Sequence, residues 1–325
     1  MKALQISQYG NPTEVVQLVD IPEPAGPANG EVLAAVEYAP INLSEVLKIL
    51  GQYPLRPSTL PATVGNEGVA RIVSLGRDVK GLKPGDRILV PFTIGAWSER
   101  VVLPADGLSA LPSNADPRQL SMLSINPPTA ALMLSDYVEL SQGDWVLQNA
   151  GSSGVGRSVI AIAKSRGLRT ASIVRRAEVV DELVDAGADA VLVDGPDLGA
   201  RIKAATKNAG IPLAIDGVGG ESSAVLVSAL ARGGTLVVYS RMSRKPITLD
   251  AVDLIFRDIR VRAFWLPVPE IQRSPRLADA LELGAKLIAE GRLKVPIAAT
   301  YRLTEGRAAL AHALQGGKVL FQISE

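Results

Sequence analysis

The sequence predicts an α/β chain of two domains, one small and mostly antiparallel β, the other a doubly wound parallel sheet with helices on both faces. Three observations predict it. Short β-rich runs separated by turn residues fill the first hundred or so residues. After PSNADP (112–117) strand and helix patterns alternate, and one strand–helix junction in that region reads AGSSGVG. Alternation of this kind means βαβ units, whose parallel strands need crossover helices on the faces of the sheet.

In order along the chain, LAAVEYA, GVARIVSLG and DRILVPF read as strands, set apart by PAGPANG, KPGD and similar turns. The run QLSMLSINPPTAALMLSDYVEL has a helical period broken by Pro127 and Pro128. WVLQNA is a strand and VGRSVIAIAKSRG a helix, with Val155, Val159 and Ile162 on one face and Gly167 as its stop. TASIV is a strand, EVVDELVDAG a helix ending at Gly187, and AVLV a strand. LAIDGVGG, the helix SSAVLVSALARGG, TLVVYS and RVRAFWL continue the series. From about residue 271 two helical segments lead to a last strand, VLFQIS, that returns to the first domain. The expected boundaries are therefore 1–118 and 271–325 for the β domain, with 119–270 for the parallel-sheet domain.

Composition narrows the function. A chain of 325 residues, 47% hydrophobic and 21% charged, can bury two cores and is too apolar for disorder. With no cysteine, disulfides and thiolate metal sites are impossible, and the single histidine, His312, excludes imidazole clusters, so no metal site is expected. His312 reads as a residue near a helix end. A net charge of +1 exerts no pull on nucleic acid or anionic membrane, and the basic stretch RMSRKP (241–246) reads as a solvated loop. No apolar run reaches the ~18 residues of a membrane span. MKALQISQYG has neither a secretion-signal core nor a transit composition, so the expectation is mature, cytoplasmic protein.

The junction points to chemistry. Gly151, Ser153 and Gly156 stand at the three positions of G-x-G-x-x-G, with serine in the middle. Small residues in such a turn let backbone N–H groups approach a pyrophosphate, and the following helix contributes its positive end. A fingerprint alone is weak; its place after a strand and before a helix strengthens it. About 20 residues on, an NAD-specific domain carries an acidic residue for the ribose 2′-hydroxyl. Here Arg175 and Arg176 hold that place, and no carboxylate occurs before Glu178. Guanidinium groups favour a 2′-phosphate, which makes NADPH the expected cofactor, held in the crevice at the carboxyl ends of the strands. A serine hydrolase is rejected, because G-x-S-x-G would need glycine where Val155 stands.

The segments ILGQYPLRPSTLPATVGNEGVARIV, INPPTAALML, QNAGSSGVGRSVIAIAKSRGLRTASIVRR, LARGGTLVVYSRMSRKP and LIFRDIRVRAFWL resemble the medium-chain dehydrogenase/reductase superfamily. Within it they are most similar to 2-enoyl thioester reductases of the mitochondrial fatty-acid-synthesis type, with quinone oxidoreductases as close relatives. The resemblance implies a Rossmann nucleotide domain, a GroES-like catalytic domain, a homodimer and zinc-independent reduction of a small-molecule substrate. Where the zinc branch has a histidine, this chain has Asn66 followed by Glu67, which reads as structural. The implied reaction passes a hydride to the β-carbon of an α,β-unsaturated carbonyl compound, an enoyl thioester first and a quinone second. The developing enolate can be stabilised by hydrogen-bond donors without a Lewis acid.

By the same resemblance Tyr53 is the proton donor, with water as the alternative because phenols ionise near about 10. Asn126 lies near the nicotinamide. Ser152, Ser153, Gly154 and Val155 contact the pyrophosphate, and Arg175, Arg176 and Ala177 the 2′-phosphate. Tyr239, Ser240, Arg241 and Met242 form a loop over the cofactor, Phe264, Trp265 and Leu266 the nicotinamide-side wall, and Lys318 a further contact. The chain departs from the pattern at Ser240 and Arg241, which replace two glycines, at Arg176, where an acidic residue is usual, and at Leu43, where proline is frequent. Trp97 reads as packing. A different class of reading, an NADPH-binding sensor without catalysis, keeps the cofactor site and gives up the role of Tyr53.

Overall fold

The structure, a computed structural model, describes residues 1–324. It divides into two compact units. One comprises Met1–Ile125, Ile288–Glu290 and Lys294–Glu325, drawn from both ends of the chain; the other comprises Asn126–Leu287 and Gly291–Leu293.

In the first unit the strands Val16–Asp20, Lys2–Ile6 and Ala62–Thr63 form a small antiparallel sheet. A larger sheet runs in the order Ile297–Tyr301, Lys318–Gln322, Glu31–Ile41, Gly68–Leu75, Arg87–Val90, and Arg100–Pro104 also pairs with Glu31–Ile41. All of its pairs are antiparallel except the first. Alternate residues of these strands face one core, where Trp97 meets Phe321 edge-on at 5.0 Å and donates its indole N–H to Pro40 O at 3.3 Å. The expectation of packing for Trp97 agrees with that placement.

In the second unit six strands are all parallel: β1 (Trp145–Gln148), β2 (Arg169–Val174), β3 (Ala190–Val193), β4 (Ile211–Asp216), β5 (Leu230–Val238) and β6 (Arg260–Ala263). Their spatial order is 3-2-1-4-5-6, so the direction of winding reverses between β1 and β4, where a doubly wound sheet opens its ligand crevice. No helix among the described residues is long and apolar enough to cross a membrane.

Three local expectations are corrected. Pro127 and Pro128 open the helix Asn126–Ser135 instead of breaking one, since proline's missing N–H costs nothing in a first turn. The helix expected through SSAVLVSALARGG ends at Ala229, and Leu230–Gly234 already belong to β5. Gly233 has φ of 76°, a left-handed conformation that glycine tolerates and that a continued helix would exclude. The strand Ile297–Tyr301, not foreseen, pairs in parallel with Lys318–Gln322. The two compact units part after Ile125 and near Leu287, most of the helix Pro275–Ala289 belonging to the parallel-sheet unit.

Candidate functional site

In the parallel-sheet unit the glycine pattern has a steric cause at each position. A Cβ on Gly151 would lie 2.8 Å from Ser172 Cβ, and one on Gly156 would lie 2.5 Å from Gly151 O. A Cβ on Gly154 would lie 2.8 Å from Asn126 Nδ2. Ser153 caps the helix Gly154–Ser165, its Oγ accepting from Gly156 N at 3.1 Å. Gly151 N donates to Ile173 O at 3.0 Å, which fastens the turn to the end of β2. The turn therefore presents the start of a helix, where the first N–H groups have no intrahelical acceptor and the dipole is positive.

Asn126 is buried, and its Nδ2 has no partner among the described residues. A buried donor left unpaired costs about 1–3 kcal/mol, so an acceptor supplied by a ligand would recover that energy. Beside the turn, Asn149 Nδ2 donates to Asp216 Oδ1 at 2.6 Å and Asn149 Oδ1 accepts from Gly217 N at 2.7 Å. Asp216 also accepts from Val218 N, Gly219 N and Ser223 Oγ. This buried network ties the ends of β1 and β4 together at the switch point. Its only mark in the sequence is a polar residue ending each of two apolar runs, VLQN and LAID.

Tyr239 reaches the same place. Its hydroxyl lies 2.5 Å from where a Cβ on Gly217 would stand, so only glycine fits there. Burial pushes its phenol up to about 12, the nearby Asp216 carboxylate adds to this, and a hydrogen bond with the Ser153 side chain opposes it. Tyr239 therefore stays a neutral donor or acceptor throughout the working pH range. Ser240 is half-buried, while Arg241 is exposed and Met242 largely so; the Met242 N–H bonds to Gly217 O at 3.1 Å. Phe264 and Leu266 are buried and Trp265 half-buried.

At the end of β2 the two arginines part company. Arg175 is exposed and has no partner among the described residues, whereas Arg176 lies 3.6 Å from Glu178. Ala177 begins a single 3-10 turn. An exposed pair of this length is worth little and leaves Arg176 available to a stronger anion.

In the β unit Tyr53 is half-buried in the loop after the helix Leu43–Ile49, with its ring 6.4 Å from that of Phe92. The ammonium of Lys48 stands over the other ring of that pair, 4.6 Å from the Phe92 centroid. Leu43, at the departure from proline, is exposed and starts this helix.

The same unit holds a buried ionic cluster. Glu67 is fully buried and accepts from Asn42 Nδ2 at 2.7 Å and Ser124 Oγ at 3.0 Å. The other end of the Asn42 amide accepts from Lys318 Nζ at 2.5 Å. Glu45, also fully buried, accepts from the N–H groups of Asn42 and Asn66. Read alone in the sequence, Glu67 has no partner; the fold joins it to Lys318 through one amide. Asn42 and Glu45 carry only the signal of a capping box, N-cap and N3 of the helix Leu43–Ile49, which does not show that Glu67 and Lys318 join them.

Burial pushes Glu67 from 4.5 up to about 7, with the Lys318 charge opposing the shift, and burial pushes the Lys318 ammonium down. A carboxyl raised in the folded state contributes its stability below pH 4.5 and loses it as pH rises through about 7, a change of about 3 kcal/mol. Glu67→Gln is expected to flatten the fall in stability between pH 5 and pH 8 (urea denaturation at each pH); equal slopes in both proteins would contradict the assignment.

No group of three His, Cys, Asp or Glu that could hold a metal occurs among the described residues. The cysteine and histidine donors of a catalytic zinc site are absent from the sequence apart from His312, whose Nδ1 lies 3.1 Å from Tyr301 Oη. Zinc does not fit this chain.

Comparison with known proteins places these features in a family setting. Residues 28–113 match the alcohol dehydrogenase GroES-like domain and residues 154–286 the zinc-binding dehydrogenase domain. The mitochondrial enoyl-[acyl-carrier-protein] reductase of Rattus norvegicus is 37% identical over 303 residues, 91% of this chain and 81% of that protein. The Homo sapiens protein of the same name is 37% identical over 97% of this chain and 86% of its own. Among solved structures, the Etr1p/NADP/crotonyl-CoA complex superposes with a TM-score of 0.88 at 26% identity, covering 99% of each chain. A putative NADPH:quinone reductase from Bacillus thuringiensis superposes with a TM-score of 0.87 at 26% identity and the same coverage.

Proposed function

The chain belongs to the medium-chain dehydrogenase/reductase superfamily, among its enoyl thioester reductases, and from that premise we propose its reaction: NADPH-dependent reduction of the C=C bond of a trans-2-enoyl thioester. The observation that carries the reading is the Ser153-capped turn, fastened to β2 directly ahead of an unpartnered Arg175. Such a pair of features offers one anion site to a pyrophosphate and a second to a 2′-phosphate.

When bound, NADPH supplies the hydride that the β-carbon accepts. The residues of this chain do the rest. The N–H groups of Ser152, Gly154 and Val155 hold the pyrophosphate, with Ser153 fixing the helix start and Gly151 and Gly156 keeping the approach open. Arg175, with Arg176 and Ala177, holds the ribose phosphate. The orphan Asn126 Nδ2 takes an acceptor on the nicotinamide side, and Phe264, Trp265 and Leu266 line that side. Tyr239, Ser240, Arg241 and Met242 cover the cofactor. Tyr53 donates its hydroxyl proton to the α-carbon of the enolate and is reprotonated from solvent. Lys318, already desolvated against Asn42, adds a cation toward the cofactor.

The test compares trans-2-butenoyl-CoA with a quinone at equal NADPH, following NADPH consumption. Faster turnover of the thioester is expected. Turnover of the quinone alone would transfer the assignment to a quinone reductase, the function named for the Bacillus thuringiensis neighbour.

The chain is also proposed to work as a homodimer. In its support, β6 pairs only with β5 among the described residues and is exposed along its whole length. In the helix just before it in the chain, Ile255 and Phe256 are 68% and 69% exposed. Unpaired edges next to apolar surface invite a second chain. Ile255→Asp with Phe256→Asp is expected to shift a dimer to monomer in gel filtration; a wild-type chain eluting at 34.1 kDa would refute the proposal. A related pair, Etr1p/Etr2p from Candida tropicalis, is described as a heterodimer. The proposed compartment is the cytoplasm, although the relatives above are named mitochondrial; cell fractionation decides between the two.

A further inference from the structure

Arg157 sits in the first turn of the helix Gly154–Ser165 and is only 5% exposed. A cation there opposes the helix dipole, and its burial removes hydration, so the position is unfavourable unless its partners compensate. Two do. Nε donates to Ser152 O at 3.1 Å, within the phosphate turn. Nη2 donates to Glu182 Oε2 at 3.0 Å, on the helix Val180–Asp185. That helix continues directly from the 3-10 turn Ala177–Val179, and hence from Arg175 and Arg176. One planar guanidinium thus joins the turn assigned to the pyrophosphate to the segment assigned to the 2′-phosphate. A lysine ammonium lacks the fork that serves two directions at once.

We propose that Arg157 and Glu182 form a strap that sets the spacing between the two phosphate sites, which makes Glu182 a specificity-determining positioning residue for NADPH over NADH. The inference rests on the NADPH reading above. The pyrophosphate turn serves both dinucleotides, whereas the segment after β2 meets an extra phosphate only in NADPH. Loosening one against the other therefore falls on NADPH. The strap also accounts for a carboxylate close to a phosphate-binding segment: its charge is taken up by Arg157.

The experiment measures dissociation constants for NADPH and NADH by fluorescence titration of the full chain, wild type beside Glu182→Gln, Glu182→Leu and Arg157→Leu. Gln and Leu remove the same charge, but only Gln keeps an acceptor for Arg157. Glu182→Gln is expected to stay within about twofold of wild type in the NADPH/NADH ratio. Glu182→Leu is expected to bind NADPH about fivefold more weakly with NADH unchanged, and Arg157→Leu to weaken both. Equal ratios for Glu182→Gln and Glu182→Leu would overturn the strap. Should Arg157→Leu fail to fold, the Glu182 pair still decides, because that side chain is 48% exposed. Failure of the wild type itself to bind NADPH overturns the underlying reading instead, and is seen without any variant.

Discussion

Tyr53→Phe is expected to lower turnover of a trans-2-enoyl-CoA roughly a hundredfold or more, with the NADPH dissociation constant within about twofold of wild type. The substitution removes one oxygen and keeps the ring that packs 6.4 Å from Phe92. A positioned acid contributes ~10²–10⁴ to a proton transfer, and its loss falls on the step that completes the enolate. The split between turnover and binding separates three readings. A fall in turnover alone supports Tyr53 as proton donor. A fall of less than about fivefold assigns the proton to water. Tight NADPH binding with no acceptor reduced by the wild type supports the sensor reading.

Arg175→Ala carries the second large effect. Its guanidinium has no partner among the described residues to lose, so the variant should fold with unchanged stability. Losing charge-assisted hydrogen bonds to a phosphate removes about 1.5–3 kcal/mol, which is roughly a 10- to 100-fold rise in the NADPH dissociation constant. NADH, without the extra phosphate, should bind as before. Arg176→Ala is expected to do less, because that side chain already shares its charge with Glu178. Titration showing that the wild type prefers NADH would sink the electrostatic assignment.

Much of the nucleotide unit was legible in the sequence because its determinants are local. Ser153 and Gly156 are dictated by atoms within one strand–turn–helix unit, Gly151 by the next strand, and Arg175 and Arg176 follow that strand directly. The errors were also local in origin. Pro127 and Pro128 were read as breakers because periodicity does not show where a helix begins. LARGG was read as helix because the bonds that make it strand come from β4, distant in sequence. The strand Ile297–Tyr301 depends likewise on Lys318–Gln322.

The ionic cluster of the β unit was invisible for the same reason, taken further. Asn42, Glu45, Glu67, Ser124 and Lys318 come from four separate stretches of chain, and apart from the capping-box pair Asn42 and Glu45 no spacing relates them. Arg157 lies within the glycine-rich turn and helix, yet nothing local marks it, because its partner Glu182 lies 25 residues away.

By itself, then, the order of residues determined the parallel-sheet class, the small-residue turn ahead of a helix, the arginine pair after the second strand and the lack of cysteine for a zinc site. Only tertiary structure decided which polar groups are buried together: Asn149 with Asp216, Glu67 with Lys318, Arg157 with Glu182. The reason is physical. Backbone conformation and helix ends respond to neighbours a few residues away, whereas desolvation and charge pairing depend on atoms that the folded chain alone brings within a few ångströms.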